Sequence, residues 1–480
     1  MKRLTRSARC SHRNTHWIAL VSALALAGFV RAADPAPAGD IESLEPVGQL
    51  IRECTLPGNT RRDDVVPRAA NCIQLSATRW LVIYSTHGYR GVDDERSIIY
   101  QVRREAPDGA VLKEDFFARG EMDWKVPGLP PLAEGNVYYK QHGHMVAFGV
   151  PKGALIGGKP APHANLFVAK WRVSARPIDV KSGFMTFQRL DRTIGQRVEW
   201  VQFRLNDRED DIEIVQPVAR LRQKGFETGD AFCSANVTRM NQSFCVPVPA
   251  SDDFTEWADA NHFDDNRVGA LKYRFNPESR RYEWVETGPM VGGDPKRVLI
   301  EASLVRLPDE WIVAGRGIGE IGWARSKDPF AAWSPLVFTE DPPGHVPMTV
   351  YRCPDGVVRL FCNDIRSNPS RHIRNPLFCW DVDVSHGFAT SKRREIFSVA
   401  RGKLPIRPES YAKIDFPHLF PLHGRTQFVV HGVSMRAMNF PTEGSPDIPL
   451  QNAAEKDAAG LYYARITYRK APTALWQFGK

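Results

Sequence analysis

The sequence has little of what would indicate a helical, nucleic-acid-binding or zinc-binding protein. Long amphipathic helical patterns are scarce, and no basic run carries interleaved aromatic residues. None of the eight cysteines forms the C-x-x-C pair that zinc sites favour. We therefore expect no metal, no cofactor and no nucleic-acid partner.

The N-terminus is basic and contains no acid before a short apolar run from Trp17 to Val30. This run is too short to span a bilayer comfortably, and no stop-transfer pattern follows it. Small or aliphatic side chains around Ala32 indicate cleavage after that residue. We expect residues 1–32 to be a signal peptide, the mature protein to be secreted or periplasmic, and no stable membrane span to remain. The alternative is an uncleaved anchor.

The basic character of the whole chain comes mostly from this signal. The formal charge falls from +9 to +3 without residues 1–32, because that segment holds six cations and no acid: Lys2, Arg3, Arg6, Arg9, Arg13 and Arg31. The remaining Lys and Arg residues are interpreted as local site charges or solvated faces.

The mature chain keeps an odd number of cysteines, so at least one thiol stays unpaired in a compartment that permits disulfides. Local bridges are predicted between Cys233 and Cys245 and between Cys54 and Cys72. Cys362 and Cys379 lie in apolar, strand-like runs, where a buried free thiol is an equal alternative.

The chain after the signal is long for one simple core. Its roughly 440 residues exceed the ~250–300 at which a single core stops growing, unless the core is built from repeats. Asp34–Gly39 is rich in Pro and Ala, so residues 33–45 are predicted as a linker and residues 46–480 as the folded domain. Short apolar strands introduced by a turn recur at 75–84, 307–314, 353–361 and 422–430.

This pattern favours an all-β fold. Gly and Pro each occur 36 times and most strand-like segments are short, which is typical of a β-propeller of four-stranded blades. A β-sandwich and two stacked domains are the alternatives. Ser326-Lys-Asp328-Pro-Phe-Ala-Ala-Trp333 keeps the Ser, Asp and Trp of an Asp-box turn, S-x-D-x-G-x-T-W, and is otherwise a loop with a packed Trp.

Two parts of the chain, Pro67–Tyr100 and Glu301–Gly432, resemble the sialidase (BNR-repeat) superfamily. Glu301-Ala-Ser-Leu-Val-Arg-Leu-Pro-Asp-Glu-Trp-Ile-Val-Ala-Gly-Arg316 is similar to the family's E-x-S-L-x-x-L-P-D-G segment and the strand that ends in its second arginine. Arg68 stands where the first arginine opens a strand, and Arg374-Asn-Pro-Leu matches the third. The resemblance implies a six-bladed propeller in which Arg68, Arg316 and Arg374 clamp a substrate carboxylate. Guanidinium groups suit this role because they form paired, charge-assisted hydrogen bonds.

The family's acid/base is an Asp on a mobile loop, and an acidic cluster follows the first strand here. The resemblance implies this role for Asp93 or Asp94, which the sequence does not separate, with Arg90 and His87 as further substrate-binding candidates. The alternative is a solvated turn in which the acids pair with Arg90 and Arg96.

The chain departs from the family at the nucleophile. Family members place a Tyr, activated by the Glu that Glu301 matches, where this sequence has Phe416. A phenyl ring cannot attack an anomeric carbon, which puts the retaining mechanism in doubt. Tyr411 is the nearby candidate for a substitute, and a blade-core Tyr is the alternative.

Histidines offer a competing chemistry. His87 lies near the acidic cluster, and His142-Gly-His144 follows Tyr138 and Tyr139. Propeller polysaccharide lyases use His or Tyr as base and acid, with Arg neutralising a uronate. His142 and His144 alternate onto one strand face, where metal binding or packing are the alternatives.

We therefore expect an exported sialidase-like glycoside hydrolase that acts on an acidic sugar or polysaccharide. A uronate-directed polysaccharide lyase and a non-catalytic carbohydrate-binding propeller are the alternatives.

Overall fold

Runs of β-branched and aromatic residues form nearly all the regular structure of this chain. In a computed structural model, Ala38–Lys480 is one unit. The residues described are 41–63, 65–88, 95–125, 131–132, 134–156, 158–161, 163–179, 194–220, 238–239, 246–247, 253–260, 267–292, 294, 297, 299–317, 319–342, 346–364, 374–405, 410–437, 453–470, 472 and 476–479. The predicted signal lies outside them. None of the helices found in these ranges has the length and apolarity to cross a bilayer.

The first blade is an antiparallel sheet of four consecutive strands. It follows strand β1 (Ile41–Ile51) and a 3-10 turn at Arg61–Asp63, and its strands are β2 (Val65–Ser76), β3 (Arg79–Gly88), β4 (Glu95–Arg104) and β5 (Val111–Ala118).

The second blade has the strand order β11-β10-β9-β6. Its strands are β6 (Asn136–Val150), β9 (Leu166–Asp179), β10 (Ile194–Leu205) and β11 (Ile212–Arg220). Between its first two strands, β7 (Ala154–Ile156) and β8 (Lys159–Pro160) form a small sheet with the C-terminal β29 (Gln477–Phe478).

The third and fourth blades continue the pattern. The third comprises β12 (Thr238–Arg239), β13 (Val246–Pro247), β14 (Asp253–Ala260), β15 (Arg267–Asn276), β16 (Arg281–Thr287) and β17 (Val291–Gly292). The fourth comprises β18 (Ile300–Arg306), β19 (Trp311–Arg316), β20 (Ile321–Ser326) and β21 (Val337–Thr339).

The fifth blade comprises β22 (Thr349–Arg352), β23 (Val358–Asn363), β24 (Leu377–Asp383) and β25 (Ala389–Phe397). The sixth comprises β26 (Ser410–Leu419), β27 (Thr426–Ala437) and β28 (Gly460–Tyr468), with the short helix α1 (Ala453–Ala458) before β28.

The N-terminal strand closes the ring, because β1 pairs with β28 as the outer strand of the sixth blade. The register runs from Ile41 opposite Tyr468 to Ile51 opposite Leu461. Residues 41–45, which the sequence analysis assigned to the linker, are part of this strand. Closure by the first strand joins the two ends of the chain without leaving a long free edge.

The first strands of neighbouring blades contact one another around the ring: β2 with β6 and β26, β18 with β22, and β22 with β26. Aromatic residues fill the space between blades, as where Phe117 stacks on Trp171 and Trp323 on Phe388. Blades covered on both faces explain why their strands read as nearly continuous apolar runs. The prediction of an all-β, six-bladed propeller is confirmed for the described residues.

Side-chain-capped turns join the third and fourth strands of four blades. Asn206, Asn276, Asp328 and Asp383 each accept a backbone N–H from two to four residues ahead. In the Ser326–Trp333 segment, Trp333 packs on the core of its blade. The assignment of this turn as an Asp box of a BNR repeat stays a prediction.

The predicted bridge between Cys54 and Cys72 is wrong, because both are buried free thiols. The N–H of Leu56 donates to the Cys54 sulfur at 3.3 Å, while Cys72 lies inside β2. Both pack as apolar side chains in one cluster. Cys353 and Cys379 are also buried free thiols, Cys362 is buried, and Cys233 and Cys245 lie outside the described residues.

Candidate functional site

The first strands of four blades each carry a β-bulge. The register shifts fall at Arg68 in β2, His144 in β6, Glu301 in β18 and Phe416 in β26. The last three residues have positive φ values of 47°, 51° and 52° respectively. Such backbone costs about 1–3 kcal/mol per residue and recurs at functional sites, where bulges re-aim side chains. We therefore take the residues at these four bulges as the starting point for the candidate site.

Arg68 is held by two blades. One guanidinium nitrogen donates to Nδ1 of His87 at 3.1 Å, and another donates to Oδ2 of Asp415 at 3.1 Å. Because arginine only donates, His87 Nδ1 accepts, so the neutral ring carries its proton on Nε2, which lies 3.2 Å from Ser85 Oγ. Both His87 nitrogens are thus engaged, and His87 orients Arg68.

Asp415 gathers three cations. Its Oδ1 accepts from Arg374, and its Oδ2 lies 3.1 Å from Arg68 and 3.2 Å from Lys413. Burial alone would raise the pKa of Asp415, but the positive charges of Arg374, Lys413 and Arg68 outweigh burial and hold that pKa far below its usual range. The carboxylate is therefore ionised at any physiological pH, and it joins the first and fifth blades through the sixth.

Phe416 occupies the centre of this group. Its ring centroid lies 5.2 Å from the Arg68 guanidinium carbon and 6.0 Å from the His144 ring, which meets it edge-on. The quadrupole of the ring attracts the cation. Phe416 thus packs in the site as a neutral platform and has no atom that could act as a nucleophile.

Glu301 and Arg316 form a charge pair within the fourth blade. The Arg316 guanidinium lies 2.8 Å from Glu301 Oε2, and the Arg316 and Glu301 side chains are 17% and 6% exposed. Arg316 ends β19 opposite Ile300, next to the bulge. The Arg316 side chain is thus the more exposed member of this pair.

A β-bulge at His144 interrupts the alternation of His142-Gly-His144, and the two histidines contact different residues. His142 is buried, and its Nδ1 lies 3.2 Å from the carbonyl oxygen of Arg96. His144 contacts Phe416 instead. The described part of the chain holds no group of three His, Cys, Asp or Glu residues that could bind a metal ion.

The structure brings Arg68, Arg374, His87 and Phe416 together and pairs Glu301 with Arg316. Arg90, Asp93, Asp94 and the side chain of Tyr411 lie outside the described residues. Asp415 and Lys413 were given no role from the sequence. The alternation in Lys413-Ile414-Asp415 is the signal that was available, since residues i and i+2 of a strand share a face.

A histidine on β26, His418, links the sixth blade to the first. Asn71 Nδ2 lies 3.0 Å from His418 Nε2, and both side chains are buried. Burial lowers the pKa of His418 to about 3, so this ring is neutral and serves the joint between β2 and β26.

No protein-family model and no curated protein matches this sequence. Among solved structures, it is similar to a variant of the NanB sialidase of Streptococcus pneumoniae (10% identity, TM-score 0.50, 88% of this chain and 70% of the other). It is also similar to a protein of unknown function from Dyadobacter fermentans (9% identity, TM-score 0.50, 89% and 100%). A Trypanosoma rangeli sialidase aligns at 9% identity and a TM-score of 0.48 over 88% of this chain, which spans 57% of that protein. The chain therefore has a sialidase-like β-propeller fold.

Proposed function

We propose that this chain is an exported carbohydrate-active enzyme that binds the carboxylate of an acidic sugar and hydrolyses the adjacent glycosidic bond. One observation carries the proposal: Arg68 and Arg374, from the first and fifth blades, meet at a single point beside Phe416. Guanidinium groups that converge from distant parts of the sequence are expected in an anion-binding site. The packing of a blade core does not require them.

The exposure of the arginines supports a division of roles. The Arg374 and Arg316 side chains are 15% and 17% exposed and reach a ligand. Arg68 is almost fully buried and acts mainly as a fixed charge beneath it. The sialidases that share this fold are named for action on sialic acid, and a sugar of that acidic class is the substrate we propose here.

Phe416 decides the course of the hydrolysis. Because this residue offers no hydroxyl, no covalent sugar intermediate forms on it, and water is the attacking group. In this scheme Asp93 or Asp94 protonates the leaving oxygen, and Glu301 acts as the general base that accepts a proton from the attacking water. Two carboxyl groups acting on opposite sides of the sugar give inversion at the anomeric carbon.

The test is an assay of the purified full chain on sialylated and uronate-containing glycans. Reducing-sugar release without ultraviolet absorbance identifies a hydrolase, and NMR of the first-formed anomer reports inversion. An unsaturated product that absorbs in the ultraviolet identifies a lyase instead. Ligand binding without either product leaves a carbohydrate-binding propeller and overturns the enzyme proposal.

A lyase is the second candidate because of His144. This ring lies at a bulge and contacts Phe416, which Arg68 also contacts. An imidazole there is suited to proton abstraction next to a uronate whose charge the arginines neutralise. His87 is less suited, since its two nitrogens already bind Arg68 and Ser85.

A further inference from the structure

We propose that Asp415 is a positioning residue that holds the Arg68 and Arg374 guanidinium groups in the orientation a ligand meets. The nature of that ligand rests on the proposed function, whereas the arrangement of the three side chains does not. The proposal adds a role for the residue directly before Phe416.

Both oxygens of Asp415 are used. Oδ1 accepts from Arg374, which precedes β24 of the fifth blade, and Oδ2 accepts from Arg68 of the first blade at 3.1 Å. Oδ2 also lies 3.2 Å from Lys413, two residues earlier on β26. Three cations from three blades thus share one carboxylate.

Like charges repel one another at this range, and the repulsion is strong where water is scarce. The Arg68, Lys413 and Asp415 side chains are all nearly buried. Without the carboxylate, the two guanidinium groups lose the attraction that opposes their repulsion. We therefore infer that Asp415 is what allows Arg68 and Arg374 to lie together.

The order of burial places Asp415 beneath the arginines. Its side chain is 1% exposed, whereas that of Arg374 is 15% exposed. A carboxylate that occupied the ligand's own position would be the more exposed partner. Asp415 therefore supports the guanidinium groups from below and leaves their outer side to the ligand.

The backbone around Asp415 also brings the sixth blade close to Arg68. Asp415 pairs with Gly432 as the last regular pair before the bulge of β26. A Cβ atom at Gly432 would lie 2.1 Å from the carbonyl oxygen of Arg68, so only glycine lets β27 approach β2 here. This contact brings the backbone of Arg68 to the level of Asp415.

The test replaces the charge without changing the shape. Asp415→Asn removes the anion, and Asp381→Asn is the matched control. Asp381 is also a nearly buried acid between two arginines, with Arg359 Nε at 3.0 Å and Arg394 Nη1 at 2.9 Å, and it lies within the fifth blade outside the candidate site. Both variants lose a buried counterion, so both are expected to be less stable.

The first measurement needs no ligand. In arginine-labelled protein, 15N NMR separates the Nη groups of a guanidinium whose rotation is hindered by fixed hydrogen bonds. We expect two such arginines of the parent protein, those paired with Asp415, to lose hindered rotation in Asp415→Asn and to keep it in Asp381→Asn. Unchanged signals in Asp415→Asn would overturn the proposal.

The second measurement is calorimetric titration with N-acetylneuraminic acid and, separately, glucuronic acid. We expect Asp415→Asn to weaken binding of the acid that the parent protein binds by about tenfold or more, because the clamp is no longer preorganised. Asp381→Asn is expected to bind like the parent. Equal or tighter binding by Asp415→Asn would show that Asp415 competes with the ligand, and would reject the positioning role.

The two proposals fail separately. If the parent protein binds neither acid, the proposed function is wrong, and the NMR result alone decides the role of Asp415. If Asp415→Asn does not fold, Lys413→Met combined with Asp415→Asn removes one of the repelling cations, and the same NMR comparison is made on that variant.

Discussion

The guanidinium carbon of Arg68, on the first blade, lies 5.2 Å from the ring centroid of Phe416, on the sixth. The two residues stand at bulges of adjacent inner strands. The cation that we propose faces an anionic ligand therefore lies against the ring of Phe416, and this relationship shapes the predictions for the site.

Phe416→Tyr is expected to leave turnover at the parent level. A new hydroxyl becomes a nucleophile only with a base within roughly 2.6–3.2 Å, and in the proposed scheme Glu301, which Arg316 contacts at 2.8 Å, already acts on the attacking water. The measurement is kcat on an aryl glycoside of an acidic sugar, with Phe416→Leu as the control that removes the ring. A burst of aryl alcohol in the tyrosine variant would contradict the prediction.

Arg316→Ala is expected to abolish measurable binding of the acidic sugar in hydrolase, lyase and binder alike. It also leaves the nearly buried Glu301 without its cation, which lowers stability. Calorimetric titration and a thermal melt separate these effects when Arg316→Ala is combined with Glu301→Gln, which we expect to recover stability only. Arg325→Ala, which breaks the Arg325–Glu310 pair in the same blade, is the control. Normal affinity in Arg316→Ala would remove this residue from the site.

Substitution of Asp93 and Asp94 by Asn is expected to lower kcat by ~10²–10⁴-fold and to leave affinity nearly unchanged, because acid/base assistance acts on the transition state. Comparison of each single variant with the double variant shows whether Asp93 or Asp94 is the acid/base. If turnover survives both changes while His87→Asn or His144→Asn ends it, the glycosidase proposal is wrong and the lyase replaces it.

Glu114 is expected to make stability depend on pH. Burial would raise its pKa, but hydrogen bonds from Thr55, Tyr84 and Gln101 outweigh burial and lower it from about 4.5. A carboxyl group whose pKa is depressed in the folded state stabilises the fold fully at a pH above its unfolded-state pKa. This stabilisation is lost as the pH falls through the folded-state pKa.

Glu114→Gln should therefore lower the free energy of unfolding by about 1–3 kcal/mol at neutral pH. The difference in this free energy between the variant and the parent protein should become smaller below about pH 5. Denaturant unfolding from pH 7 to 3 measures this. Glu213→Gln, at the exposed pair with Arg204, is the control that we expect to change little. A difference in the free energy of unfolding that stays constant with pH would refute the depressed pKa of Glu114.

The mature protein is expected to begin near Ala33, because small and aliphatic residues follow an apolar run of suitable length. N-terminal sequencing of the exported protein measures this directly. A chain that starts at Met1 would reject the cleaved signal.

The elements that the sequence predicts correctly are those whose partners are close along the chain. The hairpins around 307–314 and 353–361 could be predicted because turn residues and apolar runs are local signals. The contact between Glu301 and Arg316 could also be predicted, because they lie at the start and the end of one hairpin. Antiparallel pairing brings these two positions together.

The sequence by itself determined the all-β class, the repeated hairpins and the arginines that a carboxylate site needs, because each depends on short-range patterns and side-chain chemistry. Only the tertiary structure decided that Arg68 and Arg374 meet on Asp415, that Cys54 and Cys72 are free thiols, and that His144 contacts Phe416. These outcomes depend on how the blades close around an axis and where a strand takes in one extra residue. Burial among groups far apart in the chain sets them, and no local pattern encodes that burial.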